Sequence, residues 1–302
     1  MPADAVDKWK DTVAGSLAGM AQVVVGQPLD TVKVRLQVED ARSAKFRGPL
    51  HCIVDTVRQE GFLALYKGMA APLVGISAVN ALLFTAYSSF KDVQVRMGHA
   101  HTADQLSLSA IALAGAGAGF VNSILASPVE LLKVRLQVQR SLTSKHQTQQ
   151  QYRGPTDLAR ALVHTDGWRH GLFRGFWATV WREIPAYAAF YAAFEAAKRR
   201  ITGAGQAGPE TLVAAPWQLM LAGSTAGVSY WCACYPLDVI KSRAQNSNKR
   251  LRSGYMTEIT RAIYRAEGLA GFWRGFTPCV LRSIPSAAVT FTTYELVMRM
   301  LD

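Results

Sequence analysis

The sequence predicts an all-α membrane fold of six spanning helices, interleaved with three short polar ones. Three observations carry this. One proline-centred motif occurs three times at near-equal spacing. Six segments are long and apolar enough to cross a bilayer. Finally, 50% of the 302 residues are apolar and only 18% are charged, against about 25% in soluble domains.

The repeats come first, because a missed period misreads a whole fold. QPLDTVKVRLQ at 27–37, SPVELLKVRLQ at 127–137 and YPLDVIKSRAQ at 235–245 share the pattern Pro-x-acid-x-x-Lys-x-Arg-x-Gln. Pro28, Pro128 and Pro236 are 100 and then 108 residues apart, so each unit is about a third of the chain. The copies are taken as 1–98, 99–205 and 206–302 of one integral membrane domain. A second motif follows in each: EGFLALYKG at 60–68, DGWRHGLFRG at 166–175 with one extra residue, and EGLAGFWRG at 267–275. Small residues four apart precede each proline, at Gly15/Gly19, Gly115/Gly119 and Gly223/Gly227. That spacing lets helix backbones approach closely.

Each third reads as long apolar helix, short polar helix, long apolar helix. The expected spans are 10–38, 50–60 and 70–92; then 106–138, 156–165 and 177–199; then 214–245, 255–266 and 276–300. Mean hydropathy is only +0.08, which fits either a soluble helical protein or a membrane protein whose helices line a wet cavity. Segment 215–234, APWQLMLAGSTAGVSYWCAC, has no charge anywhere on its circumference. A soluble bundle would need a polar outer face there, so lipid outside is favoured.

The motif reads as a gate. Each proline falls inside a long helix, removes a backbone donor and kinks the helix. The acid and the Lys three residues on share nearly one helical face. Three such helices can close a ring: Asp30 with Lys133, Glu130 with Lys241, and Asp238 with Lys33. The same spacing also permits a pair inside one helix, and the blander reading is three solvated helix ends. Charges inside a membrane are costly and face one another or water. Gln37, Gln137 and Gln245, each four residues after the Lys, are placed to brace the pairs.

A net charge of +12 can point to nucleic acid, an anionic membrane surface or anionic substrates. Basic residues recurring at fixed places in each third argue against a nucleic-acid face. Cys52, Cys232, Cys234 and Cys279 fit no zinc or redox spacing and read as small buried hydrophobes in a reducing setting. The start, MPADAVDKWKD, carries acids and no apolar core, so no cleaved signal is expected. No metal constellation, phosphate loop or nucleophile with a placed base supports an enzyme, and no cofactor is expected.

On these motifs the chain resembles the mitochondrial carrier family over essentially its whole length. The resemblance implies a threefold pseudosymmetric bundle of six transmembrane helices with three short matrix helices. It further implies an inner-membrane, multi-pass monomer with both termini facing the intermembrane space. It implies alternating access, with the ring above as the matrix gate and Gln37, Gln137 and Gln245 as its braces. The acid–Gly motifs would bound the matrix helices and lie near sites for bound cardiolipin. The family's second gate is an aromatic-acid-x-x-basic motif late in each even helix. Only FEAAK at 194–198 matches fully; YSSFK at 87–91 has Ser88 for the acid, and YELVM at 294–298 has Met298 for the base. The expected cytoplasmic gate is therefore weak: Lys91 with one acid, and Glu195 or Glu295 with Lys198. Ordinary helix-end charges would read the same way.

Substrates are asymmetric, so charges that break the threefold pattern near the midplane mark the solute site. Counting back from the late acids gives Arg182-Glu183 in the second third, Arg282 in the last, and Gly75-Ile76 without charge in the first, with Asn80 one turn on. Adjacent helical residues point about 100° apart. On that ground Arg182 is expected free for a carboxylate and Glu183 for an ammonium; the alternative is an internal ion pair. Arg282 is assigned to a second carboxylate or to the gate, with Ser286 one turn on. Trp181, Tyr187 and Tyr191 read as cavity aromatics for a cation or as packing. An Arg-acid pair here resembles carriers of amino acids and of carnitine and acylcarnitines; nucleotide carriers show Gly-aliphatic instead. Carriers of ornithine-like substrates tend to have an extra acid near Val79, which this chain lacks. The expected partner is thus a zwitterionic or carboxylate solute. The alternatives are a non-transporting receptor or scaffold, an ion leak, and a carrier of another carboxylate-bearing metabolite.

Overall fold

A computed structural model describes residues 3–39, 46–98, 100, 102–139, 152–202, 216–247, 251 and 253–301. The described residues form helices throughout. The long ones are α1 (Ala3–Val38), α3 (Ala70–Arg96), α4 (Leu108–Val138), α6 (Phe176–Thr202), α7 (Pro216–Asn246) and α9 (Phe276–Leu301); the short ones are α2 (Pro49–Glu60), α5 (Pro155–Gly167) and α8 (Tyr255–Glu267). Long, short, long therefore recurs three times, as the repeats require. The main boundary difference is α1, which begins seven residues before the expected 10.

The glycines of the second motif are explained by backbone geometry. Gly61, Gly167 and Gly268 end the short helices at φ 85, 74 and 64°, and Gly68, Gly175 and Gly275 open the next long helices at φ 78, 75 and 85°. These values lie where only glycine is unstrained. Between them runs a 3₁₀ turn in the first and third copies, Phe62–Tyr66 and Gly268–Trp273. The second copy instead makes a π turn, Trp168–Leu172. A wider turn is how a helix absorbs one inserted residue, which accounts for the extra residue of DGWRHGLFRG.

The chain divides into two compact units: Met1–Ala78 with Ser127–Gly175 and Ser242–Asp302, and Val79–Ala126 with Phe176–Lys241. Each unit draws on all three repeats. In the first, Val32, Leu36, Phe46, Cys52 and Leu65 form one apolar core, and Leu131, Leu136, Leu158 and Leu162 another. In the second, Leu106, Ala110, Ile111 and Tyr191 pack together, as do Leu83, Ala86 and Ala118.

Polarity is distributed as a bilayer demands. Val13, Leu17, Val24, Leu113, Phe120, Ile124, Leu221 and Val228 are exposed, whereas Asp30, Lys33, Arg182, Glu183, Asp238 and Lys241 are buried. A hydropathy test recognises α4 as a span, or two spans if 62–75 and 77–96 are joined.

The small-residue spacing is used in one copy. A Cβ on Gly115 would meet the Tyr187 carbonyl at 2.5 Å, and one on Gly119 the Glu183 carbonyl at 2.6 Å, so α4 and α6 touch backbone to backbone. Gly15, Gly223 and Gly227 have nothing within 4 Å among the described residues. There the spacing permits contact, and no described residue fills it. A close approach not expected from sequence lies between α1 and α9, where a Cβ on Gly26 would sit 3.1 Å from Ser286 Oγ and 3.2 Å from Arg282 Cδ.

Candidate functional site

In the first unit the motif ends of α1 and α4 meet. Lys133 Nζ donates to Asp30 Oδ2 at 2.5 Å, which is the inter-helix pair the ring requires. Asp30 is shared, because Arg282 Nη1 on α9 lies 3.1 Å from its Oδ1. One gate carboxylate therefore holds both the gate lysine and Arg282, the arginine that the sequence left open between a substrate carboxylate and the gate. Ser286, one turn beyond Arg282, is buried, and its Oγ has no hydrogen-bond partner among the described residues. Lys33, Asp238 and Lys241 are buried as well. Glu130 is half-buried.

The glutamines bond beside the pairs rather than across them in the contacts seen. Gln137 Nε2 donates to Thr31 Oγ1 at 3.3 Å, next to Asp30, and Gln37 Oε1 accepts from Ser242 Oγ at 3.0 Å. All three side chains, Gln245 included, are fully buried.

The motif arginines, part of the aligned pattern yet given no role from sequence, form a closed circuit. Arg35 Nε donates to the Gln137 carbonyl at 3.1 Å, Arg135 Nε to the Gln245 carbonyl at 3.0 Å, and Arg243 Nε to the Gln37 carbonyl at 2.9 Å. Each repeat thus grips the next, and the third grips the first. The second motif adds another layer. Glu60 accepts two bonds from Arg35, at 2.6 and 3.1 Å, and one from Lys67 at 2.6 Å. Glu267 takes Arg243 at 2.5 Å and Arg274 at 3.2 Å. In the middle copy Asp166 pairs with Arg174 at 2.9 Å, and Arg135 turns to the Ser247 carbonyl at 3.0 Å.

The bases of the second motif also reach into the following repeat. Lys67 donates to the Gln139 carbonyl at 3.2 Å, Arg174 donates to the Ser247 carbonyl, and Arg274 donates to the Glu39 carboxylate at 2.9 Å. The repetition of these residues in register was the sequence signal for this layer; their carbonyl acceptors leave no mark in a sequence. Burial raises the pKa of Glu60, but the hydrogen bonds from Arg35 and Lys67 outweigh it and hold the carboxyl below its usual range.

In the second unit, Arg182 and Glu183 are buried and paired directly, Nη2 to Oε1. Of the two readings open from sequence, groups free for a ligand or an internal ion pair, this is the ion pair. The 100° divergence applies to the Cα–Cβ directions, and a long guanidinium folds back across it once both groups are out of water. Arg182 Nη1 also donates to the Tyr230 hydroxyl at 2.8 Å and lies 3.8 Å from Asp238. Tyr230, on α7, was not singled out from sequence, being uncharged and off the threefold pattern. Tyr191 stacks on Tyr87, centroids 3.7 Å apart at 6°, and Tyr187 meets Tyr230 edge-on. These two tyrosines therefore pack, while Trp181 is exposed. Asn80 is exposed on α3, and the side chain of Ile76 lies outside the described residues.

Of the expected cytoplasmic gate, Glu195 pairs with Lys198 at 3.2 Å and with Arg199 at 2.8 Å, both on its own helix. Lys91 lies over the Tyr87 ring at 5.0 Å. The Glu195–Lys198, Glu195–Arg199 and Lys91–Tyr87 contacts each lie within one helix. The side chain of Glu295 lies outside the described residues.

Three charge-lined helical repeats, gripped head to tail by their own motif residues, define a membrane carrier built by triplication. The chain belongs to the mitochondrial carrier protein family, whose model matches residues 5–98, 104–205 and 213–302; members of that family are transporters rather than enzymes. It is similar to the mitochondrial carnitine/acylcarnitine carrier-like protein of Arabidopsis thaliana, 38% identical over 300 residues, covering 96% of this chain and 97% of that one. It is also similar to the mitochondrial basic amino acids transporter of Homo sapiens, 36% identical over 290 residues, covering 95% and 89%. Mitochondrial substrate carrier family protein S of Dictyostelium discoideum is 35% identical over 293 residues, with 97% of each chain covered.

Proposed function

We propose that this protein exchanges amino acids or carnitine-like solutes across the mitochondrial inner membrane by alternating access. The observation that carries the proposal is the sharing of Asp30 between Lys133 and Arg282. A substrate carboxylate offers Arg282 a second acceptor. When the guanidinium turns to it, Asp30 loses a charge-assisted hydrogen bond, worth roughly 1.5–3 kcal/mol. Substrate binding thereby loosens the gate it must pass, as an exchanger requires.

In the other unit Glu183 receives the ammonium, and Arg182, once released, is a bidentate carboxylate donor. Asn80, Ile76 and Ser286 complete the contact residues. Glu130 with Lys241 and Asp238 with Lys33 complete the matrix gate, braced by Gln37, Gln137 and Gln245. Lys91, Glu195, Lys198 and Glu295 form a weak cytoplasmic gate in the opposite state. The carrier works as a monomer with bound cardiolipin at the short matrix helices, its termini in the intermembrane space.

The test is uptake by purified protein in cardiolipin-containing liposomes preloaded with amino acids, carnitine, acylcarnitines, dicarboxylates or nucleotides. Exchange of the zwitterions supports the reading, and exchange of nucleotides alone overturns it. Binding of the zwitterions without any exchange would favour a receptor or scaffold instead.

A further inference from the structure

We infer that Tyr230 makes this carrier selective for weakly hydrated organic cations, quaternary ammonium or guanidinium, over compact primary ammonium groups. The inference rests on the exchanger reading above and assigns a specificity residue within it. The Arg182 guanidinium donates to the Tyr230 hydroxyl at 2.8 Å, its carbon 5.8 Å from the ring centroid, and is ion-paired with Glu183. A delocalised cation therefore already sits beside this ring and on the carboxylate. Guanidinium is planar and weakly hydrated, whereas an ammonium is a compact, strongly hydrated point charge. A ring face beside a buried carboxylate attracts soft cations that shed their water readily.

Glu183 adds a second, independent observation. Its side chain is 1% exposed, and its Oε2 has no hydrogen-bond partner among the described residues. A buried carboxylate oxygen left without a donor is unfavourable, and a cationic ligand remedies it. The rings of Tyr187 and Phe190 stand edge-on to Tyr230, with centroids at 5.4 and 6.4 Å, and give the position apolar walls.

The experiment measures apparent KM for counter-exchange of L-carnitine, L-arginine and L-lysine by the full chain in liposomes. Wild type, Tyr230→Phe, Tyr230→Leu and Tyr230→Trp are compared. The wild type should prefer carnitine or arginine to lysine. Tyr230→Phe, which keeps the ring face, should keep that ranking. Tyr230→Leu should raise KM for carnitine and arginine about tenfold and shift lysine far less. Tyr230→Trp, a stronger ring face, should lower KM for the two soft cations, which keeps the test open if the leucine variant does not fold. An equal loss for all three solutes in Tyr230→Leu, or a wild type that prefers lysine, overturns the inference. A wild type that neither exchanges nor is thermally stabilised by any of the three overturns the exchanger reading as well. A wild type with the expected ranking that Tyr230→Leu preserves removes only Tyr230.

Discussion

Neutralising the three acids of the second motif should destabilise the protein unequally, in the order Glu60→Gln, Glu267→Gln, Asp166→Asn. Glu60 is 6% exposed in its side chain and accepts from Arg35, itself 3% exposed, and from Lys67. Removing one partner of a buried ion pair costs about 3–5 kcal/mol when the other is left without compensation. Arg35 keeps the Thr56 hydroxyl at 3.0 Å and the Gln137 carbonyl, so the loss for Glu60→Gln should be nearer ~2–3 kcal/mol. Glu267 holds two arginines, but Arg274 retains Glu39, and Arg243 retains the carbonyls of Gln37 and Glu39. Its loss should be about 1–2 kcal/mol. Asp166 is 30% exposed and meets one arginine, which puts its loss at about 0.5–1 kcal/mol. Thermal unfolding of detergent-solubilised protein reads this as a drop in apparent Tm, roughly 2–4 °C per kcal/mol for a chain of this size class. If Asp166→Asn lowers Tm as much as Glu60→Gln, the reasoning from burial and partner number is wrong.

Three further outcomes are expected. Because the Glu60 carboxyl is held below its usual range in the folded protein, the folded state binds fewer protons than the unfolded state between the two pKa values. Its contribution is full above about pH 4.5 and is lost as the pH falls through the folded value; the Tm gap between wild type and Glu60→Gln should therefore close on acidification, and a constant gap would contradict it. Gly119→Ala, whose Cβ would meet the Glu183 carbonyl at 2.6 Å, should destabilise by about 1–3 kcal/mol, while Gly223→Ala, with nothing within 4 Å, should be neutral or slightly stabilising by Tm. Lys133→Asp should impair exchange, and adding Asp30→Lys should restore part of it, since the two side chains touch at 2.5 Å; absence of any rescue would speak against the pair.

Much of the fold was legible because triplication repeats each signal. The prolines, the acid–Gly motifs and the apolar runs located the long and short α-helices of the described residues, and the two glycines of the second motif sit where the backbone turns left-handed. The Asp30–Lys133 pair was readable from face and spacing. What escaped reading, or was left open between two alternatives, has physical causes. Arg282 on Asp30 joins residues far apart in sequence through a side chain whose reach no spacing rule encodes. The arginine circuit ends on main-chain carbonyls, which every residue possesses. Arg182 and Glu183 pair because a flexible guanidinium in a dry setting can cross an angle that separates their Cβ atoms. Tyr230 acts through a ring and a hydroxyl, and neither breaks a charge pattern.

Counter-exchange by Arg282 variants tests the central claim most directly, that one arginine passes from the gate carboxylate to the substrate carboxylate. In cardiolipin-containing liposomes, Arg282→Gln should lose at least about tenfold in kcat/KM for a zwitterionic solute, the loss of one charge-assisted hydrogen bond. Arg282→Lys, which keeps the charge without the bidentate fork, should fall between. Exchange by Arg282→Gln at the wild-type rate and affinity would contradict the account.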